Sequence, residues 1–250
     1  MIYFFIIALL CYAAMQFIET VSFGSRVAGK LVNRLSLGTT LQYSIFVTSR
    51  LFLPPLLLSL SFLIESDLGI QFFLLTAAIL TTTAFLASLL VLINFNSYQL
   101  LFQHLFIRYE FNTIPIAIVK VLFGKNNQLN QLNQVNLEYI PKIRNLSLKK
   151  IITSSFAYFF LSTSFLIAFS FAILIPEYRM TMSQLTSVFQ GVGAIVLSMY
   201  IDPMISRSLD VELENSDWIE NIYSIFIGRL LSYLLASSIF IALFLYTYVG

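Results

Sequence analysis

The chain has 250 residues, 58% of them apolar and only 10% charged, with a formal net charge of +2. Soluble domains carry about a quarter charged residues, so a single water-soluble core is excluded, and one cysteine excludes a disulfide-framed secreted domain. One His and one Cys cannot fill a zinc or heme coordination shell, so neither metal nor cofactor is implied, and so small a net charge gives no argument for nucleic acid.

A helix crossing about 30 Å of hydrocarbon needs roughly 20 apolar residues. Six stretches qualify: 2–23, 41–64, 70–95, 151–175, 183–201 and 222–249. They predict an all-α integral membrane protein, a bundle of six transmembrane helices forming one polytopic domain over residues 1–250. A β-barrel would need many short alternating segments, which these runs are not. The first stretch lacks the basic flank of a signal peptide, and its apolar sequence continues past any cleavage point, so it reads as a retained span. After it, GSRVAGKL at 24–31 nearly matches a phosphate-binding loop. Leu31 replaces the magnesium-holding hydroxyl and no strand precedes it, so the motif is rejected.

Lys and Arg set the orientation. The first loop carries Arg26, Lys30 and Arg34, and the long third loop, 96–150, is also basic. Both are therefore expected in the cytoplasm, with both termini outside. Within the third loop, residues 105–123 are apolar but interrupted by Arg108, Glu110, Pro115 and Lys120, which suits an interfacial amphipathic helix. The polar run at 126–136 reads as a connector. His104 reads as a surface residue and not as a general base, and no nucleophile, base and oxyanion donors assemble elsewhere.

Charge inside the spans is more informative. A charged side chain near the centre of a span costs about 2.5–3.5 kcal/mol on insertion scales. Glu19 lies late in span one, Arg50 about 16 Å up span two, Asp202 at the end of span five and Arg229 roughly two turns into span six. Arg26 follows Glu19 by two helical turns and shares its face if the helix continues. For any single residue, a structural ion pair fixing helix register explains the charge as well as a functional role does; for the set, apolar packing would hold six spans together more cheaply. Pro54 and Pro55 cannot donate to the carbonyls of Arg50 and Leu51, so the helix should kink or open beside a fixed cation, either a static kink that shapes packing or, the favoured reading, a hinge next to an anion site. In span five, Ser183, Ser187, Gly191 and Ala194 fall on one face, read here as a packing stripe, and Gln190 could line a polar path.

Certain residues resemble a known family. Phe17, Ile18, Glu19 and Thr20, then Ser25 to Gly29, then Ser49 and Arg50, then Tyr200, Ile201, Asp202 and Pro203 with Asp210 downstream, are similar in order and spacing to the Amj family. The resemblance implies a six-span alternate lipid II flippase of bacterial cell-wall synthesis. It places the chain in the bacterial cytoplasmic membrane, moving an undecaprenyl-diphosphate-linked saccharide for peptidoglycan synthesis. Independently, a diphosphate crossing hydrocarbon needs fixed cations. Arg50 is the best candidate, with Arg26, Arg229 and Gln190 as further substrate contacts, and with Glu19 and Asp202 balancing charge or carrying protons. Transport would hinge near Pro54 and Pro55, among membrane lipids, and six spans leave room for a homodimer. Alternatives stay open: a flippase for another polyprenyl-linked glycan, a membrane enzyme acting on polyprenyl diphosphate, or an assembly subunit working through the basic third loop.

Overall fold

The structure, a computed structural model, describes residues 2–66, 69–109, 116, 145–210 and 217–249. Most of the expected 105–123 helix and all of the 126–136 connector lie outside these residues. The elements in chain order are α1 (Ile2–Leu31), α2 (Leu35–Ser49), a 3-10 turn (Arg50–Phe52), α3 (Leu53–Glu65), α4 (Gly69–Ile93), α5 (Phe95–Tyr109) and α6 (Leu148–Leu174), followed by a 3-10 turn (Pro176–Tyr178), α7 (Arg179–Val196), a π-helical segment (Leu197–Ile201), α8 (Asp202–Leu209) and α9 (Asp217–Val249). Among the described residues there is no strand, and six helical stretches are long and apolar enough to cross a membrane, as the sequence predicts.

Lipid tails are as apolar as leucine, so close approach and hydrogen bonds, not oil-water partition, must hold spans together. At the centre is α1, with α2, α3, α4 and α5 packed around it. Thr20 and Ser88 share a 3.0 Å hydrogen bond between α1 and α4, and Thr82 and Ser237 a 2.8 Å bond between α4 and α9. The ends of the bundle are fixed by pairs of elements. Phe4 stacks on Phe62 and Gln71 Nε2 donates to the Thr247 carbonyl, so the start of α1, the end of α3, the start of α4 and the end of α9 share one end, here the terminal end. At the opposite end a second apolar cluster gathers Phe23, Phe95, Ile201, Ile205, Trp218 and Phe226.

The first basic loop is shorter than expected. α1 does not stop near residue 23 but runs to Leu31, taking Arg26 and Lys30 into the packed interior at 2% and 5% exposure. Two things make this tolerable. The cations find partners on α8, and the helices meet glycine to glycine: a Cβ at Gly29 would lie 2.9 Å from the Gly38 Cα. Ser25 Oγ donates to the Gly38 carbonyl at 2.9 Å, and the turn closes through Asn33 in the left-handed region (φ 57°).

Pro54 and Pro55 do break span two, as the sequence requires. The outcome is tighter than an open kink, because Leu53 N–H reaches the Arg50 carbonyl and the break becomes a 3-10 turn. Arg50's carbonyl is therefore not free. Pro203 has a related effect: the turn before it widens to π geometry, closed by Asp202 N–H on the Leu197 carbonyl.

Two further expectations are corrected. Residues 96–109, expected in the third loop with a helix only from 105, are helical throughout: α5 buries Phe95, Gln99, Phe102 and Phe106, and Phe102, Leu105 and Phe106 pack with Ala28 and Leu41. The small-residue stripe of span five is not the packing face. Gly191 has no atom within 4 Å of where its Cβ would be, whereas a Cβ at Gly193 would lie 2.7 Å from the Ala157 carbonyl of α6. α7 leans on α6 through Gly193, with its other faces largely uncovered. The apolar window of its stretch is 17% buried, against 56% for α6.

Candidate functional site

Glu19, one turn beyond Gln16 on α1, is the junction of a buried charge network. Its Oε2 accepts from Arg229 Nη2 at 3.0 Å. Its Oε1 accepts from Ser49 Oγ at 3.2 Å and faces Arg50 Nη2 at 3.6 Å. Arg229, 2% exposed, is held from every side. Nε donates to Tyr233 Oη at 2.8 Å, Nη2 donates to Gln16 Oε1 at 2.9 Å, and the guanidinium lies 4.8 Å from the Tyr158 ring centre. Tyr233 Oη in turn donates to Gln16 Oε1 at 2.5 Å. A cation so deep survives because Nε and Nη2 both find partners, one of them a carboxylate.

The second pair lies two turns further along α1. Arg26 Nη2 donates to Asp202 Oδ1 at 2.9 Å, Tyr43 Oη donates to Asp202 Oδ2 at 3.1 Å, and the Arg26 guanidinium stands 5.5 Å over the Tyr43 ring. Arg26 Nε and Nη1 are buried without a hydrogen-bond partner. Next to this pair Lys30 donates to the Leu209 carbonyl at the end of α8. α1, α2 and α8 are thereby tied together at the end opposite the termini.

In these two clusters three guanidinium groups meet two carboxylates, so one positive charge is left uncompensated. Distance and exposure place the excess on Arg50. Its contact with Glu19 is the longest of the three, Glu19 is already committed to Arg229, and the Arg50 side chain is 25% exposed where the other two are 2%. Apart from Glu19, its neighbour is the Phe46 ring at 4.5 Å.

Two spaces flank Glu19. On the terminal side, Arg50 opens into a cavity of about 390 Å3, within the usual range of small-molecule sites. One wall is apolar (Leu53 and Leu57 of α3, Phe165 and Phe169 of α6). The other is the polar face of α7: Ser183, Gln184, Thr186, Ser187 and Gln190. Thr186 Oγ1 is buried there with no hydrogen-bond partner. On the other side lies a void of about 40 Å3, lined by Glu19, Tyr43, Tyr158, Asp202 and Arg229 among others. The Glu19–Arg50 contact stands between them.

The structure thus brings Arg50 and Gln190 to one cavity, gathers Glu19, Asp202 and Arg229 around the smaller void, and sets Arg26 behind Asp202. Pro54 and Pro55 occupy the first turn of α3, just past Arg50. His104 on α5 is partly buried, and burial together with Arg108 holds its pKa below the ordinary histidine value. Gln16, Tyr43, Tyr158 and Tyr233 were not read from sequence as site residues, and Ser49 entered only as part of the family resemblance. Gln16 could have been, as a polar residue one turn before Glu19 within an apolar run.

Compared with known proteins, residues 11–246 match a family model, Amj, described as "Alternate to MurJ". No curated protein and no solved structure matches the chain.

Proposed function

The chain belongs to the Amj family, and from that premise we propose that it is a flippase carrying a polyprenyl-diphosphate-linked saccharide, lipid II, across the bacterial cytoplasmic membrane for peptidoglycan synthesis. The observation that carries this reading is the surplus guanidinium of Arg50, loosely held at 3.6 Å from Glu19 and facing a cavity of about 390 Å3.

An isolated dianionic headgroup in hydrocarbon costs tens of kcal/mol before compensation. Arg50 offers it a charge that the protein has not already spent, and the diphosphate replaces Glu19 as the partner of that cation. Arg229 stays with Glu19, which keeps the carboxylate from being stranded when the substrate arrives. The hydroxyl and amide wall of α7, Gln190 included, suits the saccharide, and the leucine and phenylalanine wall suits the first isoprene units. In this conformation the cavity lies on the terminal side of Arg50, lined by Leu57 and Ser61 of α3 and Ser183 of α7. Arg26, Tyr43 and Asp202, with Lys30 on the Leu209 carbonyl, seal the other end.

Loading from that end requires Asp202 to leave Arg26, whose two unpartnered nitrogens, Nε and Nη1, can then donate to a phosphate oxygen. The 3-10 turn just before Pro54 and Pro55 and the π segment before Asp202 are the places where spans two and five can bend. With both termini outside, loading is cytoplasmic and release is outward. The test is reconstitution in liposomes with fluorescent lipid-linked saccharide, scoring how much is accessible at each face. Wild type should equilibrate the label and Arg50→Ala should not. Equal rates in the two would remove Arg50 from the transport path. Phosphate release from polyprenyl diphosphate in detergent, where no leaflets exist, would mark the chain as an enzyme instead.

A further inference from the structure

The cavity at Arg50 has a neighbour. Within about a turn toward the terminal end, Leu63 and Ile64 replace Ser61 on α3, Ile173 replaces Phe169 on α6 and Arg179 replaces Ser183 on α7 as lining, and Phe72 and Phe73 of α4 complete a second space of about 220 Å3. This space is apolar except for Arg179. The Nε of Arg179 is buried without a hydrogen-bond partner, and no ion pair reaches the residue among the described residues. No carboxylate lines the space among the described residues. Along α7, Arg179 stands about 16 Å from Gln190, a few helical turns at a 1.5 Å rise per residue.

An arginine at the rim of a greasy pocket, with no carboxylate lining it among the described residues, is matched by a lipid phosphate: a bidentate anion for the fork and an apolar chain for the lining. We infer that Arg179 is a second anion station, which receives the diphosphate of the polyprenyl lipid after Arg50 and before the lipid leaves between α3 and α7. This rests on the flippase reading for its substrate. The second space follows the first along α3, α6 and α7 without sharing a lining residue with it, and this order favours the transported lipid over a resident acidic phospholipid, since a lipid moving from Arg50 toward the terminal end passes Arg179. A two-station path also avoids a single deep well, from which a tightly held diphosphate would be slow to depart.

The test uses the full chain in phosphatidylcholine nanodiscs with radiolabelled farnesyl diphosphate, which carries both the diphosphate and an isoprenoid tail. Wild type should bind two equivalents. Arg50→Gln and Arg179→Gln should bind one each, the double variant none, and Arg179→Lys should recover part of the lost equivalent. Arg207→Gln, which removes an exposed charge at the far end, should still bind two. In liposomes Arg179→Gln should slow flipping at least fivefold.

Retention of both equivalents by Arg179→Gln overturns the second station and leaves Arg50 standing. Loss of one equivalent in Arg179→Gln, with none lost in Arg50→Gln, keeps this station but removes the cation on which the proposed function depends. If phosphatidylglycerol displaces one equivalent from wild type but none from Arg179→Gln, the pocket belongs to a resident phospholipid and the inference fails.

Discussion

Arg50 and Arg229 share Glu19, yet they should respond to the same substitution in opposite ways. Arg229→Gln removes a guanidinium that is 2% exposed and takes away the 3.0 Å partner of Glu19 together with the bonds to Tyr233 and Gln16. Breaking one side of such a buried pair costs about 3–5 kcal/mol, because the remaining charge is stranded. Arg50→Gln removes a 25% exposed group with a single 3.6 Å ionic contact and one ring neighbour. A partly solvated pair is worth up to about 1 kcal/mol and the cation-ring contact about 0.5–1 kcal/mol, so the loss is about 1–2 kcal/mol. The two variants should therefore differ by roughly 2–3 kcal/mol, about two decades in an equilibrium constant. Chemical unfolding of the detergent-solubilised protein reads this difference, and liposome flipping reads function. The expected pattern is that Arg229→Gln is strongly destabilised, while Arg50→Gln loses only about 1–2 kcal/mol but is inactive. If Arg50→Gln proves as unstable as Arg229→Gln, the surplus charge has been assigned to the wrong residue.

Three other outcomes follow from the packing. Asp202→Asn should destabilise the chain, and adding Arg26→Gln should restore part of the loss, giving a coupling of about 1–3 kcal/mol in a double-mutant cycle; strict additivity would mean that the 2.9 Å contact does not hold that end closed. Gly193→Ala should cost about 1–3 kcal/mol in thermal denaturation, since its Cβ would sit 2.7 Å from the Ala157 carbonyl, whereas Gly191→Ala should be neutral or stabilise by a few tenths of a kcal/mol. Replacing Pro54 and Pro55 together by alanine should slow flipping while farnesyl diphosphate binding changes less than twofold; unchanged flipping would show that the break in span two is static.

The spans were legible because twenty apolar residues in a row leave the chain few alternatives. Glu19, Arg50, Asp202 and Arg229 stood out for the same reason, each being expensive where it lies. Their pairing was not legible. Arg26 and Asp202 are 176 residues apart, and Arg229 and Glu19 are 210, so no local periodicity connects them. That also explains the misplaced end of α1: Arg26 and Lys30 look like loop residues until Asp202 and the Leu209 carbonyl are seen to receive them. The face that α7 turns inward was missed for a different reason. Gly191 and Gly193 differ by two positions, nearly opposite directions on a helix, and only the shape of α6 decides which one is used. α5 had left a trace in the sequence, since Phe95, Gln99, Phe102 and Phe106 recur at helical spacing.

The sparse coverage of α7 ties this span to its solvent. With Met180, Val188 and Ile195 facing outward and Gly193 its buried contact with the bundle, acyl chains surround the helix more than protein does. Its tilt is then set partly by how thick and how stiff the surrounding bilayer is. Short-chain and long-chain phosphatidylcholine should accordingly give different turnover from the same protein, with the lipid acting as the spring against which the fifth span swings.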